Sequence, residues 1–119
     1  MPDGTAESEA LAAAERWLAL IDRGDAAASW AAAARLFQEA VDEPRWTQSL
    51  EAAQRPLGRP VARRIQSMNY ATELPGAPDG EYVVLEYETT FEHKRKGAER
   101  VVMMKEPDGS WRAAGYYVR

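Results

Sequence analysis

The chain contains no cysteine, which excludes a disulfide framework, a thiolate nucleophile and a cysteine-ligated zinc site. It has one histidine, so no His-x-x-x-His metal pair can form. That residue, His93, stands beside Lys94-Arg95-Lys96 and reads as part of a solvated hairpin end. No stretch approaches the roughly 20 apolar residues that a bilayer span requires, so no membrane span is expected. The first nine residues lack both the basic region and the apolar core of a signal peptide. As written, the chain is expected to remain in the cytoplasm. Were it the mature part of a longer precursor, it would be periplasmic or exported. Net positive charge is also missing. The formal charge is −4, a poor basis for nucleic-acid binding, which needs a basic footprint. The acids are concentrated early: residues 1–43 hold nine against three arginines, a balance of −6 that leaves +2 for the remainder.

What is present is ordinary globular material. A length of 119 residues with 45% hydrophobic and 29% charged side chains reads as one domain. Such a chain buries roughly 65% of its unfolded surface. Residues 1–6 read as a disordered lead-in and 7–119 as the domain. From Glu7 to Arg23 the positions Leu11, Ala14, Leu18 and Ile21 repeat with helical period, and Trp17 and Leu20 widen the stripe. Gly24 is the stop, and Asp25 the cap of a second helix that carries Trp30, Ala34, Phe37 and Val41 on one side. Asp42-Glu43-Pro44 starts a third helix with Trp46, Leu50, Ala53 and Leu57 in phase, expected to end near Arg55 because Pro56 disfavours helical geometry before it.

Beyond the joint at Leu57-Gly58-Arg59-Pro60 the period changes to two. Residues 61–72, polar on both sides, read as an edge strand or a long curved one. Leu74 to Gly80 is a loop. Tyr82 to Phe91 is the clearest strand, with Val83, Leu85, Tyr87, Thr89 and Phe91 on one face and Glu86 and Glu88 on the other. A basic turn at residues 94–97 leads to a strand over Arg100–Glu106. Pro107-Asp108-Gly109 then folds the chain back onto Trp111–Val118. The register of this last hairpin stays open, since both faces mix apolar and charged residues. The expected fold is α+β: three N-terminal helices packed on a curved four-stranded antiparallel sheet.

Several segments together carry a resemblance. They are Glu15 to Asp25, Ser29-Trp30, Pro56-Leu57-Gly58, Leu74 to Val83, Asp108 to Trp111 and Gly115 to Val118. The chain resembles a bacterial family known as domain of unknown function 4019, which itself is similar to the nuclear transport factor 2-like (cystatin-like) cone superfamily. The resemblance implies a cone in which helices close the hollow side of a bent sheet. It implies no reaction.

No nucleophile–base, metal or phosphate-binding grouping is evident, so no catalytic residue, metal or cofactor is expected. The tryptophans at helical spacing read either as core or as the wall of a pocket for a flat apolar ligand. As ligand-binding candidates the sequence offers Trp17, Trp30, Phe37, Trp46, Tyr87 and Tyr117. Glu86 and Glu88 could serve acid–base chemistry, or simply pair with arginines across the sheet. The leading expectation is a non-enzymatic module that binds a small ligand or a protein partner. An isomerase- or hydrolase-type enzyme using Glu86 or Asp22 is the alternative. A third is a homodimer formed through the open sheet face around Val84, Val102 and Met104.

Overall fold

The computed structural model describes residues 4–119. Four helices precede four strands: α1 Thr5–Asp22, α2 Ala26–Ala31, α3 Arg35–Ala40, α4 Glu43–Leu57, β1 Pro60–Ala71, β2 Tyr82–Phe91, β3 Lys94–Lys105 and β4 Trp111–Val118. The strands pair antiparallel in the order β1-β2-β3-β4, so β1 is an edge, as its polar pattern implied. The fold is therefore α+β, with an open antiparallel sheet following the helices.

Helix α1 lies against all four strands, and α4 packs on α2. The apolar stripe of α1 (Ala10, Ala14, Trp17, Leu18 and Ile21) meets the inner face of β2 and β3 (Val83, Leu85, Val101 and Met103) in one core. Asp25 and Asp42 cap α2 and α4, each accepting from the backbone N–H three residues on, at 3.2 and 2.9 Å. On the other face of the sheet Arg64, Glu88, Arg100 and Tyr117 are exposed, and among the described residues the helices pack on the opposite face.

Four local expectations are revised. Of the anticipated lead-in, residues 1–3 lie outside the described residues, while Thr5 and Ala6 already belong to α1. The single second helix is two, because Ala34 adopts extended backbone (φ −63°, ψ 151°). Its N–H donates to the Ala113 carbonyl of edge strand β4 at 2.7 Å. The Gln38 side-chain amide donates to the Trp30 and Ala31 carbonyls at the severed end of α2. Alanine-rich sequence lets the break go unannounced, since alanine favours helix continuation. Helix α4 runs through Pro56 to Leu57, its last turn closed by the Gly58 N–H on the Gln54 carbonyl at 2.9 Å. Finally, the β2–β3 turn is Glu92-His93, and Lys94–Lys96 open β3 instead of forming the turn. The Glu92 and His93 N–H groups donate to Arg59 and Leu57 carbonyls at 2.9 Å, fastening the turn to the α4–β1 joint. Gly58, at φ +75°, sits so close beneath that turn that a Cβ would lie 2.9 Å from Glu92 and His93 atoms.

The open register of the last hairpin resolves as a β-bulge. Val102 pairs with Gly115 and Met103 with Ala113, leaving Ala114 as the extra residue. Side-chain parity inverts there. Trp111 and Ala113 face inward before the bulge; after it Tyr116 packs on the core and Tyr117 is 62% exposed.

Candidate functional site

Three indoles fill the helical end of the core. Trp17 stacks on Trp46 at 6.2 Å between ring centroids, and Phe37 and Tyr116 stand edge-on to both. Their polar edges are satisfied: Trp17 Nε1 donates to the Ser29 carbonyl at 2.8 Å, and Trp46 Nε1 to Ser29 Oγ at 2.9 Å. Half-buried Trp30 donates to the Val41 carbonyl at 2.8 Å. Trp17, Phe37 and Trp46 thus come together, as the helical spacing suggested, but into a packed cluster. Tyr87 lies on the same inner face farther along β2, and Tyr117 on the opposite face of the sheet. The six candidates do not converge on one cavity.

Next to this cluster lies an ionic network that sequence reasoning missed. The Glu99 side chain is 1% exposed and accepts from Arg63 Nε at 2.7 Å, Arg63 Nη2 at 3.2 Å, Thr89 Oγ1 at 2.6 Å and the Tyr116 hydroxyl. The other edge of the Arg63 guanidinium donates twice to Asp22, at 3.0 and 2.9 Å. Burial alone would lower the Arg63 pKa, but hydrogen bonds to Asp22 and Glu99 and the charges of both outweigh it and raise it. Burial, then the Glu99 charge and hydrogen bond, push the Tyr116 phenol well above its ordinary value, so it stays a neutral donor. Asp22 ends α1, where a negative charge opposes the helix dipole, and Arg63 compensates it. The signal for Glu99 was available: it alternates in step with Val101 and Met103, which places all three on the buried face. The signal for Tyr116 was not, because the bulge at Ala114 inverts its parity.

The pairs Glu86–Arg100 and Glu88–Arg64 bridge neighbouring strands on the exposed face at 3.0 and 2.6 Å. A hydrogen bond from Arg100 and its charge hold the Glu86 carboxyl below the usual range, opposite to the shift a general acid requires. Among the described residues no group of three or more His, Asp or Glu is placed to hold a metal ion.

Two buried side-chain groups find no partner among the described residues: the Tyr87 hydroxyl and Trp111 Nε1. Tyr87, pushed up to about 12 by burial and then by the Glu15 charge, borders a cleft of about 400 Å³ with Glu15, Leu18, Arg63 and Ile65. Trp111 borders a second cleft of about 400 Å³ between α1 and the start of β4. Its apolar surface comes from Ala13, Trp17, Leu20, Met103 and Trp111, and its charged groups are Arg16 and Arg112. Trp111 was one of the tryptophans noted in the sequence, yet its place beside this cleft depends on β4 lying at the sheet edge next to α1.

The model of the family described as Protein of unknown function (DUF4019) matches residues 13–116. The chain belongs to that family. No curated protein and no solved structure matches it.

Proposed function

We propose that this member of the family is a non-catalytic binding module for a small, mainly apolar ligand seated between α1 and β4. One observation carries the reading: the Trp111 indole N–H is buried and without an acceptor beside that cleft. The indoles of Trp17, Trp30 and Trp46 all have acceptors. An unmet buried donor costs about 1–3 kcal/mol, which a ligand acceptor would recover. The volume of about 400 Å³ falls within the range of small-molecule sites. The state of the acids also favours binding over chemistry. Glu99 and Asp22 are tied to Arg63, and Glu86 to Arg100, so none of the three stands free in an apolar cavity.

The test is the indole region of a ¹⁵N-correlated NMR spectrum, where the four tryptophans give separate signals and Trp111→Phe identifies its own. Titration with 1-octanol or octanoate is expected to move the Trp111 signal and leave that of Trp30 in place. Four stationary signals with both compounds would remove the reading.

A second reading, self-association through the open sheet face, is favoured by the 62% exposure of Tyr117 beside half-buried Val84, Val102 and Met104. Sedimentation equilibrium decides it: a monomer mass across the micromolar range rejects the dimer, and a dimer dissociated by Tyr117→Glu supports it.

A further inference from the structure

We propose that the ligand of the α1–β4 cleft carries a carboxylate, and that Arg16 and Arg112 hold this anionic end while the apolar wall takes the hydrocarbon body. The proposal rests on that cleft being a ligand site, and it concerns the class of molecule that fills it.

The two arginines reach the cleft from opposite walls, Arg16 from α1 and Arg112 from β4. Arg16 has no acid within helical reach. The positions three and four residues away on either side are Ala12, Ala13, Ala19 and Leu20. It therefore stands on an alanine–leucine surface, although residues 1–43 carry an excess of acids. Arg112 donates through Nε to Ser110 Oγ at 3.3 Å, which leaves most of its donors unused. The nearby acid is Asp108, whose carboxyl is held low first by hydrogen bonds from Ser110 and only then by the Arg112 charge. Neither arginine is in an ion pair among the described residues, whereas Arg23, Arg35, Arg63, Arg64 and Arg100 all are.

Two guanidinium forks beside an apolar pocket suit a planar carboxylate, since each presents parallel N–H donors matched to its two oxygens. The Trp111 N–H adds a third donor, and every one of these groups gives rather than accepts. A ligand whose polar end only accepts is complementary; one offering an amine or ammonium is not. Because the chain as a whole is acidic at −4, its overall field repels anions, and selection for one has to come from these local cations.

Octanoate and 1-octanol share a chain and differ in the head group, so the pair separates the two questions. Isothermal titration of the intact protein is expected to show octanoate binding about tenfold or more tightly than octanol, with added salt weakening octanoate alone. The Arg16→Gln/Arg112→Gln double variant is expected to bring octanoate down to the octanol level and to leave octanol within about twofold. Arg16 is exposed and Arg112 half-buried, and an unchanged indole spectrum of the variant confirms its fold. Equal binding of the two compounds by the wild-type protein, or unaltered octanoate affinity in the double variant, overturns the carboxylate assignment while the shift of the Trp111 signal keeps the cleft. If neither compound binds, the cleft reading fails and the carboxylate proposal falls with it.

Discussion

Glu99 is the residue on which the interior depends most. Its carboxylate is out of water and compensated by one guanidinium and two hydroxyls. Removing one partner of such a group is costly because the other stays buried and uncompensated. Arg63→Met, which leaves the Glu99 carboxylate buried without a counter-charge, is therefore expected to destabilise the protein by about 3–5 kcal/mol in urea denaturation. The double variant Arg63→Met/Glu99→Met should lose less than the single one, since no lone buried charge remains at that pair. The phenols give a pH signature. Tyr116 and Tyr87 both have folded-state values raised above the ordinary 10.0, so the unfolded chain ionises them first. Their stabilising effect is complete below pH 10 and is lost as pH rises beyond it, at about 1.4 kcal/mol per pH unit for each. The alkaline limb of stability against pH should flatten in Tyr116→Phe/Tyr87→Phe. A limb equally steep in that variant would refute the assignment.

Elements carry information that single residues do not. The bulge at Ala114 aims Tyr116 at Trp17 and Trp46 and sends Tyr117 outward. Deleting Ala114 removes the extra residue and leaves the pairs Met103–Ala113, Val102–Gly115 and Val101–Tyr116 in strict alternation, so Tyr116 stays inward and Tyr117 outward. The expected result is a retained near-ultraviolet circular dichroism of the aromatic cluster. Loss of that spectrum would show that the bulge itself is needed to seat Tyr116. At the joint between helices and sheet, Gly58 has both a positive φ and no room for a Cβ. Gly58→Ala should therefore cost about 1–3 kcal/mol, measurable in the same denaturation assay.

For the molecule as a whole, the network of Asp22, Arg63, Thr89, Glu99 and Tyr116 draws on α1 and all four strands. It closes the sheet against the end of α1, while the α1–β4 cleft adjoins the other part of the same helix, at Ala13 to Leu20. Separate locations predict separate effects. Trp111→Phe and the Arg16/Arg112 variants should change ligand affinity with little loss of stability, and the Arg63 variants should do the reverse. A thermal melt paired with calorimetry on each variant checks this division, and strong coupling between the two sites would contradict it.

Local pattern determined most of the architecture. Period 3.6 followed by period two, the capping acids Asp25 and Asp42, and the turn at Pro107-Asp108-Gly109 together specify helices and then an antiparallel meander, because capping, turn geometry and amphipathicity act over a few residues. Alternation along β2 also told which face of that strand is buried, including Tyr87 inward and Glu86 and Glu88 outward. Tertiary structure alone decided where the helical alanine run breaks, since that break follows from a hydrogen bond to a strand 79 residues further on. It likewise decided which way Tyr116 points, which arginine meets Glu99, and that Trp111 borders a cleft with no acceptor for its N–H. Each of these depends on contacts between segments far apart in the chain, and periodicity, being a property of one segment, carries no record of them.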